Sequence, residues 1–220
     1  MKYYIYISDT KIDMLFAQIP QSILKKISAE LNINLGMVSV SLKEKQSEQT
    51  RFDKVNVVSN YINEHLDVGD TDHPKAYFKG IVPMVWGPLP HGGPDNDFVY
   101  FGGETNNTIL GLGGSKHHVI GEVKGESHSV GGSMAYAIDE YLKRVNKPSP
   151  DDKLHSGFDY EKSSLYDLKW TTSIMNGPPQ FLDFLARKLV EDTIALNTWD
   201  DKSPKKHALL GSPIYVAYAD

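Results

Sequence analysis

The sequence predicts an α/β or α+β fold: a single domain over residues 1–220, with a mixed, mainly antiparallel sheet packed against several helices. Three observations lead there. Residues 1–70 alternate strand-like and helix-like patterns, β-α-α-β-α in order. Residues 75–122 form a glycine-rich run of short apolar stretches that reads as a β-meander. Residues 128–220 return to helical spacing and close on an apolar terminal stretch.

Tyr3-Tyr4-Ile5-Tyr6-Ile7 is aromatic or β-branched throughout, the pattern of a strand covered on both faces. Ser8 or Asp9 then fits an N-cap, and Ile12, Leu15, Phe16 and Ile19 are spaced for one helical face, which Pro20 ends. A second helix over 21–31 carries Ile23, Leu24, Ile27 and Leu31, and Met37, Val38, Val40 and Leu42 suggest a strand after Gly36. Beyond the polar connector 43–50, Thr50 is placed to cap a helix with Phe52, Val55, Val58, Ile62 and Leu66 along its stripe. The order is that of half a dinucleotide-binding fold. Ser8-Asp9-Thr10-Lys11 nevertheless stands where that fold needs Gly-x-Gly-x-x-Gly, so the fold is not supported.

Residues 76–86 read as a strand pair or one long bent strand, with Pro83 demanding an edge or a bulge. Residues 98–104 and 109–114 form a hairpin around Thr105-Asn106-Asn107-Thr108, where asparagine suits a left-handed turn. Val119–Glu122 continues the meander. Of the 18 glycines, 13 lie between residues 80 and 132, so backbones or a ligand approach closely there. Helices are expected from about 131 to 145, over 163–175, and from Pro178-Pro179 through Phe181, Leu185, Leu189 and Val190. Pro213–Tyr218 is a terminal strand.

Composition narrows the chemistry. The absence of cysteine removes thiol catalysis, thiolate metal sites and disulfides, and no motif calls for a cofactor or a metal. The net charge of −5 comes with scattered lysines, the largest basic cluster being Lys202, Lys205, Lys206 and His207 beside Asp200 and Asp201; duplex nucleic acid is not an expected partner. There is neither a signal-peptide pattern nor an apolar run long enough to span a membrane, which points to a cytoplasmic protein without a membrane partner. An exposed sheet edge leaves room for a homo-oligomer.

Four segments carry candidate chemistry. Gly111–His118 can form a nest of backbone N–H groups for an anion, with Ser115, Lys116, His117 and His118 as ligands, or a tight turn built on its glycines. His117 and His118, as strand neighbours, point to opposite faces, and either is a structural histidine or a base. The segment Glu126–Ser133 places Ser129, Gly132 and Ser133 at a helix start, with His128 above it, as a phosphate site or ordinary capping. The loop 86–97 holds Trp86, His91, Asp95 and Asp97 as a lid or a surface excursion. Asp9 and Asp13, one turn apart after the first strand, are a further candidate, although capping explains Asp9 as well.

Residues 3–15 (Tyr-Tyr-Ile-Tyr-Ile-Ser-Asp-Thr-Lys-Ile-Asp-Met-Leu), Val99–Gly103, Leu112–Gly121 and Leu210–Ala217 together carry a resemblance. The chain is similar to a bacterial family of unknown function, found in actinomycetes among others. That resemblance implies a bacterial origin and attaches no reaction, cofactor or catalytic residue. The expected function is therefore read from the residues: a small-molecule-binding protein or sensor for a nucleotide or other phosphate-bearing anion. The alternatives are a hydrolase or lyase using His118 or His128 as general base, oriented by Glu104 or Glu122, and a protein–protein interaction module.

Overall fold

A computed structural model describes residues 2–33, 48–89, 97–121, 136–146, 160–196 and 202–219. Its elements are β1 (Tyr3–Ile7), α1 (Asp9–Gln18), α2 (Gln21–Glu30), α3 (Glu48–His65), β2 (Val68–Gly69), β3 (Tyr77–Pro88), β4 (Phe98–Glu104), β5 (Thr108–Ser115), α4 (Tyr136–Asn146), α5 (Tyr160–Ile174), β6 (Gln180–Ala195) and β7 (Lys205–Tyr218). The expected strand at 37–42 and the helix start at 131–133 lie outside the described residues, as do His91, Asp95, Glu122, His128, Ser129, Gly132 and Ser133.

The sheet is mixed and mainly antiparallel, as expected, but it is not open. β3 pairs with β4, β4 with β5, β5 with β7, β7 with β6, and β6 returns to β3. That circuit is a closed barrel. Only the β5–β7 seam within it is parallel. β1 extends the sheet by pairing with residues 215–218 of β7, and β2 adds a short parallel pair to the start of β3. Closure leaves each barrel strand paired on both edges for part of its length, which removes most of the exposed edge.

Closure depends on long strands that change partner. β3 pairs with β6 over Tyr77–Met84 and with β4 over Met84–Pro88, so Pro83 stands at the changeover. β6 is the largest departure from expectation. The spacing of Phe181, Leu185 and Leu189 suggested a helix, yet the segment is a 16-residue strand. Its register against β7 slips at Leu185/Ala186 and again at Lys188/Val190. Two such irregularities destroy the period-2 pattern that marks a strand and leave an accidental helical spacing.

The side chains sort into three groups. Inside the barrel, Phe78, Met84, Phe101, Leu112, Phe184 and Leu209 pack together with Tyr6 and Ile5 of β1. On one outer side α1, α2 and α3 cover Ile7, Leu185, Ile214 and Tyr215 through Ile12, Ile27, Val55, Val58 and Ile62. On the other, α4 and α5 cover Tyr100, Ile109 and Leu210 through Ile138, Leu142, Leu165 and Leu168.

The glycines of β4 and β5 serve this packing. Gly111 and Gly113 lie in the extended strand, paired to β4, and none of Gly111, Gly113 and Gly114 has positive φ. A Cβ at Gly113 would come within 2.4 Å of Leu142 on α4, and one at Gly114 within 2.3 Å of the Tyr6 hydroxyl. The segment is a strand rather than a glycine turn, and its glycines let a helix and a tyrosine ring approach the backbone. The β4–β5 turn does not use left-handed asparagine either. The hydroxyl of Thr105 instead accepts the N–H groups of Asn107 (3.2 Å) and Thr108 (2.9 Å). Thr50 lies inside α3 rather than at its cap.

Candidate functional site

The chain leaves β5 through a 3₁₀ turn, Lys116–His118, whose first N–H groups are organised by Ser115: its side chain accepts from the N–H of His117. It then runs back along β1, with Val119 bridged to Tyr6 and the Ile120 N–H bonded to the Ile5 carbonyl at 2.9 Å. This return sets His118 against the carboxyl end of β1, where α1 begins. His117 and His118 therefore diverge because of the turn and not because of strand alternation. His117 Nε2 lies 3.6 Å from Asp97, which Lys116 also approaches at 3.4 Å.

His118 is mostly buried, its side chain 18% exposed. Its Nδ1 lies 3.6 Å from Asp9 Oδ2 and its Nε2 3.5 Å from the hydroxyl of Thr10. Arg51, in the first turn of α3, grips the same Asp9 carboxylate with Nε and Nη2 at 2.7 and 2.9 Å and also reaches the Ile7 carbonyl at 3.2 Å. Burial opposes ionisation of Asp9, but the bonds from His118 and Arg51 outweigh it and hold the carboxyl below its ordinary value. A depressed carboxyl contributes stability that is present above the unfolded-state pKa of about 3.9 and is lost as pH falls through the lower folded value.

Asp9 and Asp13 do not converge. Asp13 accepts from Lys54 at 2.8 Å, one turn further along α3, and Lys54 is itself 3% exposed. The two pairs are successive rungs between α1 and α3. The second carboxylate is therefore an anchor, and Asp9 alone belongs to the cluster around His118.

On the other flank of α1, Lys11 folds back toward the helix start. Its ammonium donates to Ser8 Oγ at 3.4 Å and to the Pro213 carbonyl at 3.2 Å. Burial pushes its pKa down to about 8, and the nearby guanidinium of Arg187 on β6 adds to this. Among the described residues neither Lys11 nor Arg187 has a carboxylate partner. Ser8 makes no side-chain cap bond to α1. Below them the Tyr6 hydroxyl is fully buried and finds no partner in hydrogen-bond geometry, with Ser8 and the Ser115 backbone as polar neighbours. It meets the edge of the His118 ring at 6.0 Å between centroids.

The chemistry of this junction is cationic. Arg51 and His118 face the Asp9 carboxylate, while the partly buried Lys11 ammonium, with the Arg187 guanidinium near it, stands on the other flank of the α1 N-terminus. The arrangement can bind an anion, and the imidazole held between a carboxylate and a hydroxyl can move a proton.

Other candidates lie elsewhere. Glu104 ends β4 opposite Ile109 and bonds Lys206 at 3.0 Å, whereas Phe98 at the other end pairs with Ser115. The strand rise places that carboxylate roughly 20 Å from the His118 end, so Asp9 and not Glu104 orients the ring. Trp86 stacks on Phe101 and donates to Gln180. A second polar network pins the β4–β5 turn. Asp72 accepts from Thr105, Thr108 and Asn107, and Thr108 continues through His207 to Glu191 and Lys188. Bonds from Thr105, outweighing burial, keep the Asp72 carboxyl low. Nothing in the spacing of the sequence announces that network. Arg51 and Arg187 were missed for the same reason, being 42 and 178 residues from Asp9.

Among the described residues no group of three His, Asp or Glu could hold a metal ion, and no helix is long and apolar enough to cross a membrane. No curated protein and no solved structure matches the chain. A family model does, over residues 2–220, the span on which the quoted motifs fall, and the chain belongs to that family, described as a family of unknown function (DUF7019).

Proposed function

We propose that the protein is a small-molecule-binding protein or sensor whose ligand is an anion carrying phosphate, a nucleotide among the candidates, held where β1 meets α1. One observation carries the reading: Lys11 and Arg187 are neighbouring cations without a carboxylate partner among the described residues, beside a helix start that the Ser8 side chain does not cap. Two like charges held together over a positive helix end repel each other, and an anion between them relieves that repulsion. The free N–H groups of the first turn of α1 supply further donors. Of the loop residues expected from sequence, His118 faces this junction; Ser115 organises its turn, and Lys116 and His117 sit beside Asp97 at its margin.

Calorimetric titration with inorganic pyrophosphate and with nucleoside di- and triphosphates tests it. Lys11→Ala should weaken binding about 10- to 100-fold, since a hydrogen bond to a charged group contributes about 1.5–3 kcal/mol. Affinity should also fall as pH rises through about 8, where the Lys11 ammonium loses its proton. Equal affinities for wild type and Lys11→Ala would remove this site from the reading.

A second reading rests on a different contact. His118 between Asp9 and the exposed Thr10 hydroxyl has the form of an oriented general base, as a hydrolase or lyase would need. Here Asp9 holds Nδ1 and leaves Nε2 toward Thr10. A turnover assay that finds activity with a near-neutral pKa, lost in His118→Gln, would place the enzyme above the sensor; activity unchanged in His118→Gln would eliminate this base.

A further inference from the structure

We propose that the cleft between α5 and the outer face of β3 and β4 is a second, independent ligand site, which takes a small apolar molecule bearing a single carboxylate or similar anionic head. The cleft has a volume of about 330 Å³, and its walls are Pro83, Val85, Ile109 and Pro179. That is within the range of small-molecule pockets, roughly 300–1,000 Å³. It lies at the Glu104 end of β4, the end remote from His118.

The polar groups that reach this cleft are nearly all engaged. Thr172 donates its hydroxyl to the Leu168 carbonyl at 2.8 Å, and Ser173 donates to Trp170 at 2.7 Å, so neither offers a proton. Glu104 is compensated by Lys206 at 3.0 Å. The remaining charge is Lys169, exposed, lining the cleft, and without an ion pair among the described residues. An apolar slot with one uncompensated ammonium selects an apolar body with one negative head.

The surface beside it is apolar as well. Pro83 pairs with Phe181 across the β3–β6 ladder, and Ile81, two residues before Pro83, shares its face. Ile81 and Phe181 are 61% and 65% exposed, unusual for residues of this size on a barrel wall. They form an apron that leads to the cleft.

Titration calorimetry with octanoate and with 1-octanol, on the full chain, tests the site. Octanoate should bind about 3- to 5-fold more tightly than 1-octanol, the size of one solvent-screened ion pair. Lys169→Ala should abolish that difference while leaving 1-octanol unaffected. Ser173→Trp, at an exposed position on the cleft wall and with folding checked by its thermal unfolding, should fill the cleft and weaken both ligands by at least about tenfold. Lys11→Ala should leave octanoate binding unchanged, which separates this site from the β1–α1 junction. No binding of either ligand, equal octanoate affinity in wild type and Ser173→Trp, or loss of octanoate binding in Lys11→Ala would each overturn the proposal.

Discussion

Phe184→Ala is expected to cost about 3–5 kcal/mol, whereas Phe181→Ala, three residues earlier on the same strand, should cost less than about 0.5 kcal/mol. Phe184 is fully buried inside the barrel, edge-on to Phe78 at 5.6 Å between centroids, and its removal leaves a cavity that closed strands cannot collapse into. Phe181 is 65% exposed. For a chain of this size the first change should lower Tm by roughly 10 °C and the second by a degree or two. The contrast bears directly on the fold, because a helix beginning at residue 180 would bury Phe181, Leu185 and Leu189 on one face. A large loss at Phe181 with little at Phe184 would contradict barrel closure.

The second large effect is expected at Gly103. A Cβ there would lie 2.4 Å from the Pro83 carbonyl oxygen and 3.3 Å from the Met84 Cα, both backbone atoms of the strand that pairs with it. Backbone in a closed ladder has little freedom to retreat, so Gly103→Ala should cost about 2–3 kcal/mol, the upper part of the overpacking range. Gly87→Ala is the control: its Cβ would meet Met175 Cε at 3.4 Å, an ordinary contact with a flexible side chain. That substitution should fall within about 0.5 kcal/mol of wild type in a urea titration. Equal losses at the two glycines would mean that the density of glycine in this region has a cause other than close packing.

These two positions also show why part of the fold was legible and part was not. The first strand, α1, α2, α3 and the hairpin of β4 and β5 each carry a complete local pattern: Ile12 and Leu15 mark one helix, Val55, Val58 and Ile62 another, and residues 98–104 and 109–114 flank an obvious turn. Barrel closure has no local pattern. It consists of Tyr77–Met84 meeting Gln180–Arg187, segments about a hundred residues apart, and the bulges in β6 hide the alternation that would have identified it as a strand. Glycine density was correctly read as close approach, but composition alone does not say whether a ligand or a helix is approaching. Leu142, Leu168 and Tyr6 are what fill the space.

The site divides in the same way. Asp9 was a candidate together with Asp13, because the two stand one turn apart just after the first strand, at whose carboxyl end α/β folds favour a site. Its partners came from far away: Arg51 from α3, His118 from the turn after β5, Arg187 from β6. Adjacent histidines drew attention to residues 117 and 118 together, yet the 3₁₀ turn sends one to Asp97 and the other to Asp9. A pair of neighbours in sequence became members of two different contacts.

The most direct test of the anion site is an amide-resolved NMR titration of the uniformly labelled protein with inorganic pyrophosphate. The amides of Asp9, Thr10 and Lys11 and the imidazole of His118 should shift together and saturate at one concentration, with Lys116, His117 and the α5 cleft little affected. Shifts centred on Lys116 and His117, or none at the start of α1, would contradict the account.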